Sequence, residues 1–186
     1  MIVIVEKDRV HMAVPIVRMG EIEELHLTKS DLLKAENLPI WKIKGKKNAI
    51  MGGYYNFRQN DIVRYNKSLF GKSINLQTLS NITIKAIEEA YSQDALIDEA
   101  SRSNAYYIAV KNKAYVIAYG FVREIEEYSA EGVYDDMVIS ILNNNKDMSC
   151  DDKLRLIGRS ASEYFGSPML PMAVIDTKTE TVRIVE

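Results

Sequence analysis

Ala105-Tyr-Tyr-Ile-Ala-Val110 and Ala114-Tyr-Val-Ile-Ala-Tyr119, joined through Lys111-Asn112, are apolar at consecutive positions and do not alternate with polar residues. Successive side chains of a strand point to opposite faces. An unbroken apolar run therefore describes a strand covered on both sides. Lys111-Asn112 reads as the turn between two such strands, and Val122–Tyr128 as a third. A sheet with both faces covered needs one layer above it and another below.

On either side of these strands lie helices. Upstream, Asn56–Phe70 reads as a helix with Phe57, Ile62, Leu69 and the Tyr65 ring on its buried face and Gly71 as its stop. A second helix runs to about Gln93 on the stripe Leu76, Leu79, Ile82, Ala86, Ile87 and Ala90. Downstream, Val133, Met137, Val138, Ile141 and Leu142 outline one helix. Leu154, Ile157, Ala161 and Phe165 outline the next, with Ser149 and Asp152 as an approximate capping box.

The ends of the chain read as hairpins. Ile2–Val5 and Val10–Val14 are β-branched runs around four charged residues, and Pro15 ends the second run or marks an edge. Met172–Asp176 and Thr181–Val185 form the closing pair. Between the first hairpin and Pro39, Gly20–Asn37 is acidic and poorly periodic, with Ser30-Asp31 placed to cap a turn over Leu32 and Leu33. Trp41–Lys44 and Ala49–Tyr55 read as strands around a Gly45–Asn48 turn. Strands, two helices, strands, two helices and a hairpin are not the alternation of a doubly wound sheet. The expected fold is α+β, a four-layer α-β-β-α sandwich over residues 1–186 as one domain.

Composition sets outer bounds. The 186 residues, 47% hydrophobic and 27% charged, suit one domain with a true core. A net charge of −2 provides no field to recruit nucleic acid or an anionic membrane. Cys150 alone excludes a disulfide framework, and only His11 and His26 stand beside it as soft-metal ligands. Met1–Val5 is too short for a secretion signal, and no run approaches the ~20 apolar residues of a membrane span, so the expected location is the cytoplasm. Gly71-Lys-Ser73 lacks the upstream glycine (Asn66 stands there) and the preceding strand of a phosphate loop. No cofactor is expected.

Three local patterns add to the element order: a strand hairpin beginning at residue 1, Lys42-Ile43 ahead of Ala49-Ile-Met-Gly-Gly53, and Ser129-Ala-Glu-Gly-Val-Tyr134 opening a helix. On these the chain resembles the N-terminal-nucleophile (Ntn) hydrolases, and among them the proteasome β-subunits and bacterial HslV. The resemblance implies an N-terminal Thr whose hydroxyl attacks a carbonyl while its own α-amine serves as base. It also implies a lysine, a serine, two aspartates, and a Gly-rich turn whose N–H groups hold the oxyanion.

Carried onto this chain, the lysine falls on Lys42 if one or two residues are deleted before Gly52, the serine on Ser129, and the oxyanion donors on Gly52 and Gly53. Met1-Ile2 offers no nucleophile, and the aspartate positions fall near Ile16 or Val17 and near Gly166-Ser167. Plainer readings stand beside these. Lys42 is also one of four lysines in a solvated Lys42–Lys47 run, Ser129 a loop or capping serine, and Gly52-Gly53 a close backbone approach. Thr28 or Ser30 would become a first residue only by discarding the initial hairpin. His11 reads as packed or paired, and Tyr54-Tyr55 and Tyr106-Tyr107 as core or subunit contacts.

The expected function is a non-catalytic assembling or binding subunit. The resemblance implies a homo-oligomer, in a ring or stacked rings, with a protein partner and neither nucleic acid nor membrane. The alternative is an atypical peptidase or amidohydrolase with a different nucleophile, which leaves enzymatic activity open. A third reading is an α+β scaffold unrelated to the Ntn enzymes.

Overall fold

The computed structural model describes residues 1–16, 38–53, 57–65, 70, 74, 78–79, 81, 105–118 and 121–186. The strands are β1 (Ile2–Val5), β2 (Val10–Pro15), β3 (Ile40–Lys42), β4 (Ala49–Gly53), β5 (Tyr106–Val110), β6 (Lys113–Ala118), β7 (Phe121–Ile125), β8 (Tyr128–Ala130), β9 (Met172–Asp176) and β10 (Val182–Val185). The described helices are α1 (Phe57–Tyr65), α2 (Asp135–Asn144) and α3 (Cys150–Phe165). All but residues 78–79 and 81 of the helix expected over 76–93 lie outside the described residues, as do the Ser30-Asp31 turn, Thr28, Tyr54-Tyr55, Leu69, Gly71 and the side chains of Phe57 and Ile62.

Two antiparallel five-stranded sheets form, in the orders β10-β9-β2-β1-β8 and β3-β4-β5-β6-β7. The doubly apolar runs explain why they stack. Along β5, Tyr107 and Ala109 enter the core between the sheets, while Tyr106 and Ile108 enter the core on the opposite face. β9 divides in the same way, Ala173 and Ile175 between the sheets, Met172 and Val174 away from them. The outer cores are closed by helical side chains. Val138, Leu142, Leu154 and Ile157 of α2 and α3 pack against Ile2, Ile4 and Val174. Val63 of α1, with Phe70 and Leu79, packs against Trp41, Met51 and Ile108. The expected sandwich is the one found.

Some expectations need correcting. Val122–Tyr128 is not one strand. β7 is an edge of one sheet and β8 an edge of the other, and the chain crosses between them at Glu126-Glu127. The Val5 N–H bonds to the Glu127 carbonyl at 2.7 Å, so β1 captures the chain just before Tyr128. Pro15 is the last residue of an interior strand, so it ends β2 and marks no edge. Tyr65, Val133 and Phe165, assigned to buried helix faces, are exposed. Tyr65 and Phe165 are the final residues of their helices, and Val133 precedes α2 in a turn that Gly132 makes at φ 143°. The Phe165 ring lies against Tyr134 instead, at a centroid distance of 4.7 Å.

α3 begins and ends on local signals. The Ser149 hydroxyl accepts from the Asp152 N–H and donates to its carboxylate at 2.6 Å. At the other end Gly166, at φ 62°, donates to the Ser162 carbonyl and Ser167 to that of Ala161. Midway, Gly158 lets the helix approach Leu170: a Cβ there would stand 2.8 and 3.0 Å from its two methyls and closer still to Cγ. Gly158→Ala is therefore expected to destabilise the protein by about 1–3 kcal/mol despite alanine's better helix propensity. Leu170→Ala should relieve that added cost in the double variant. Additive losses in denaturant melts would refute the steric account.

Candidate functional site

Residue 1 extends the ladder beyond β1. Its α-amino group donates to the Glu131 carbonyl at 2.9 Å, and the Glu131 N–H donates to the Met1 carbonyl at 2.9 Å. The Met1 side chain is buried between the sheets, with its thioether against Gly52: a Cβ on Gly52 would come within 2.6 Å of the Met1 methyl. Asn60, from α1, closes the same corner, because a Cβ on Gly53 would stand 2.8 Å from its Nδ2 and closer to its Oδ1. The Gly53 N–H is bonded to the Pro39 carbonyl at 2.9 Å.

Burial lowers the Met1 amine from its usual 8.0 to about 6, against the opposing pull of the Glu131 charge. The Glu131 carboxylate accepts a hydrogen bond from the Tyr107 hydroxyl. Burial first, and then that bond, raise the Tyr107 phenol well above its ordinary range. Met1 and Glu131 border a cleft of about 600 Å³ whose wall also includes Asn60, Ser167 and Met169. Among the described residues Glu131 is the carboxylate whose charge acts on the amine, a residue not expected at the site. It lay inside the quoted Ser129–Tyr134 segment, but nothing in its spacing marked it.

Of the residues expected at a site, Gly52 meets Met1 and Gly53 meets Asn60. Ser129 does not open a helix: it lies in β8 opposite Val3, and α2 begins only after Tyr134. From there it reaches the Tyr107 phenol in an adjoining hollow of about 350 Å³. Lys42 is placed elsewhere. It pairs with Ile50, and its Nζ stands 2.5 Å from Glu180 Oε2 in the turn between β9 and β10. Glu180 also accepts from the Ala49 N–H at 3.2 Å. Burial would raise the Glu180 carboxyl, but the bonds from Lys42 and Ala49 outweigh it and the net shift is downward.

The expected acid positions hold no carboxylate. Ile16 packs on the core between the sheets and Gly166 caps α3, while Ser167 borders the cleft. Val17 lies outside the described residues. Cys150 is buried at the start of α3 and its thiol is pushed up to about 12 by that burial, which leaves it no thiolate at neutral pH. The buried His11 is paired through Nε2 with Glu6 at 3.0 Å. Tyr106 and Tyr107 are core residues.

No family model and no curated protein matches the chain. Solved structures do. The fold is that of the N-terminal-nucleophile hydrolases of the proteasome-like kind. BPH of Thiobacillus denitrificans, in complex with epoxomicin, is 15% identical and superposes with a TM-score of 0.61 over 100% of this chain and 98% of its own. Anbu (ancestral beta-subunit) from Yersinia bercovieri is 11% identical, with a TM-score of 0.63 over 99% and 86%. The eukaryotic HslV of Trypanosoma brucei is 14% identical, with a TM-score of 0.59 over 94% and 97%. At these identities the likeness is one of fold.

Proposed function

We propose that residues 1–186 act as one proteasome/HslV-like domain that assembles with copies of itself and binds a protein partner without cleaving it. The observation that supports this reading is Met1. Its thioether fills the corner beside Gly52, and its amine and carbonyl are both bonded to Glu131, where the resemblance calls for a threonine hydroxyl. The absence of a carboxylate at Ile16 and Ser167, and the pairing of Lys42 with Glu180, point the same way. We place its work in the cytoplasm.

The test uses a chain purified so that it begins at Met1. A multi-subunit assembly by native mass spectrometry, with no turnover of fluorogenic peptides, is the expected result. A chain that stays monomeric at every concentration would overturn the assembly role. Met1→Thr, released from an N-terminal fusion so that Thr is first, is expected to remain without peptidase activity, because a hydroxyl alone restores neither lysine nor acids. Peptide hydrolysis by either chain would instead favour the atypical hydrolase, for which the lowered amine beside Glu131 is the supporting feature.

A further inference from the structure

β1 and β3 start from the cleft wall at Met1 and Pro39, and β2 and β4 return to it at Pro15 and Gly53. The turns between them lie at the opposite end of the sandwich, where the β5–β6 and β9–β10 turns join them. All four are bonded together. The Lys111 N–H donates to the Asn48 carbonyl at 2.8 Å, and the Asn112 amide to the Lys7 carbonyl at 3.3 Å. The Asn48 amide donates to the Thr177 carbonyl at 3.1 Å, and Lys178 pairs with Asp8 at 2.8 Å.

The charges on this face do not balance. Its carboxylates are engaged: Asp8 by Arg9 and Lys178, Glu180 by Lys42, Glu124 by Lys113 and Glu6 by His11. The buried Asp176 accepts from the Thr179 hydroxyl and the Lys178 N–H. Lys7, Lys44, Lys47 and Lys111 are exposed and form no ion pair among the described residues. The Lys42–Lys47 run, which from sequence reads as a solvated turn, thus forms one side of a larger cationic surface on a chain of net charge −2.

We infer that this face docks an acidic segment of a protein partner. Such a segment supplies the carboxylates that the four lysines lack, and the turns are already fixed by their mutual bonds, so little backbone ordering opposes docking. Nucleic acid fits less well. Both ends of the Arg9 guanidinium group are held by Asp8, and none of the four turns contains an aromatic residue to stack on a base. The exposed large apolar side chains all lie elsewhere, so a membrane surface finds no anchor here. This docking role rests on the protein partner of the proposed function and not on its self-assembly.

The test is fluorescence anisotropy of a labelled peptide of alternating glutamate and serine, titrated with the full chain at ~0.15 M salt. The expected result is saturable binding that weakens as salt rises. Lys7→Ser, Lys44→Ser, Lys47→Ser and Lys111→Asn together should weaken it about tenfold, asparagine being chosen because it tolerates the φ of 57° at Lys111. Lys44→Ser with Lys47→Ser alone should give part of that loss. Arg123→Gln with Arg159→Gln, which removes exposed cations from β7 and α3, should leave binding unchanged. No saturable binding, binding that the four-lysine variant keeps, or an equal loss in the arginine pair would overturn the proposal. So would tighter binding of a single-stranded oligonucleotide of equal charge, or of phosphatidylserine vesicles. A chain that assembles without turnover yet ignores the peptide would strike the docking face alone. One that binds through these lysines as a monomer would strike only the assembly.

Discussion

Thr177→Val is expected to cost the folded chain about 2–4 kcal/mol, although the two side chains have nearly the same shape. Thr177 is wholly buried just past the end of β9. Its hydroxyl accepts from the Val10 N–H at 3.0 Å and donates to the Lys111 carbonyl, in the turn between β5 and β6. One oxygen thus joins β2 of the first sheet to a hairpin of the second. Valine leaves no cavity, so the loss reports the buried Val10 N–H, worth about 1–3 kcal/mol without a partner, and the partly buried Lys111 carbonyl, worth less. Thr177→Ser keeps both bonds and gives up only a methyl group, about 1 kcal/mol. Urea melts of the three proteins check this. A valine variant as stable as the parent, or a serine variant as damaged as valine, would show that the hydroxyl joins nothing.

The second large effect is a pH dependence from the first residue. The Met1 amine falls from 8.0 to about 6 on folding, chiefly because burial disfavours its charged form. Above pH 8 the amine is neutral in both states and burial carries no penalty. Between pH 8 and 6 the unfolded chain takes up a proton that the folded chain refuses, so stability falls as pH falls. Below pH 6 the folded state must hold a buried ammonium, and the loss, about 3 kcal/mol for a shift of this size, is complete. The measurement is the difference in unfolding free energy between the free chain and an N-acetylated one from pH 5.5 to 8.5, with the amine followed by NMR. A difference that does not change over this range, or an amine midpoint near 8, would mean that Met1 is solvated.

Much of the fold was legible because its signals are local. The apolar runs of β5 and β6, the Ser149 cap and the terminal hairpins each depend on residues within a few positions of one another. The division of 122–128 into β7 and β8 was not legible, because Val122–Tyr128 is apolar and charged in a pattern that suits one strand. The partner that splits it is Val5, more than a hundred positions away. Separation along the chain also hid the site. Lys42 carries no sign that it will meet Glu180, nor Tyr107 that its phenol will bond to Glu131. Tyr65 and Phe165 were misplaced for a related reason: helical spacing extends a stripe to the helix end, but the core does not reach that far.

The sequence by itself determined that two covered sheets would stack between helices, for which side-chain alternation suffices. Only the tertiary structure decided which residues meet: Met1 against Gly52, its amine on the Glu131 carbonyl, and Lys42 against Glu180 in the turn between β9 and β10. Those outcomes depend on burial and on charge pairs between distant segments, and neither exists until the two sheets close on each other.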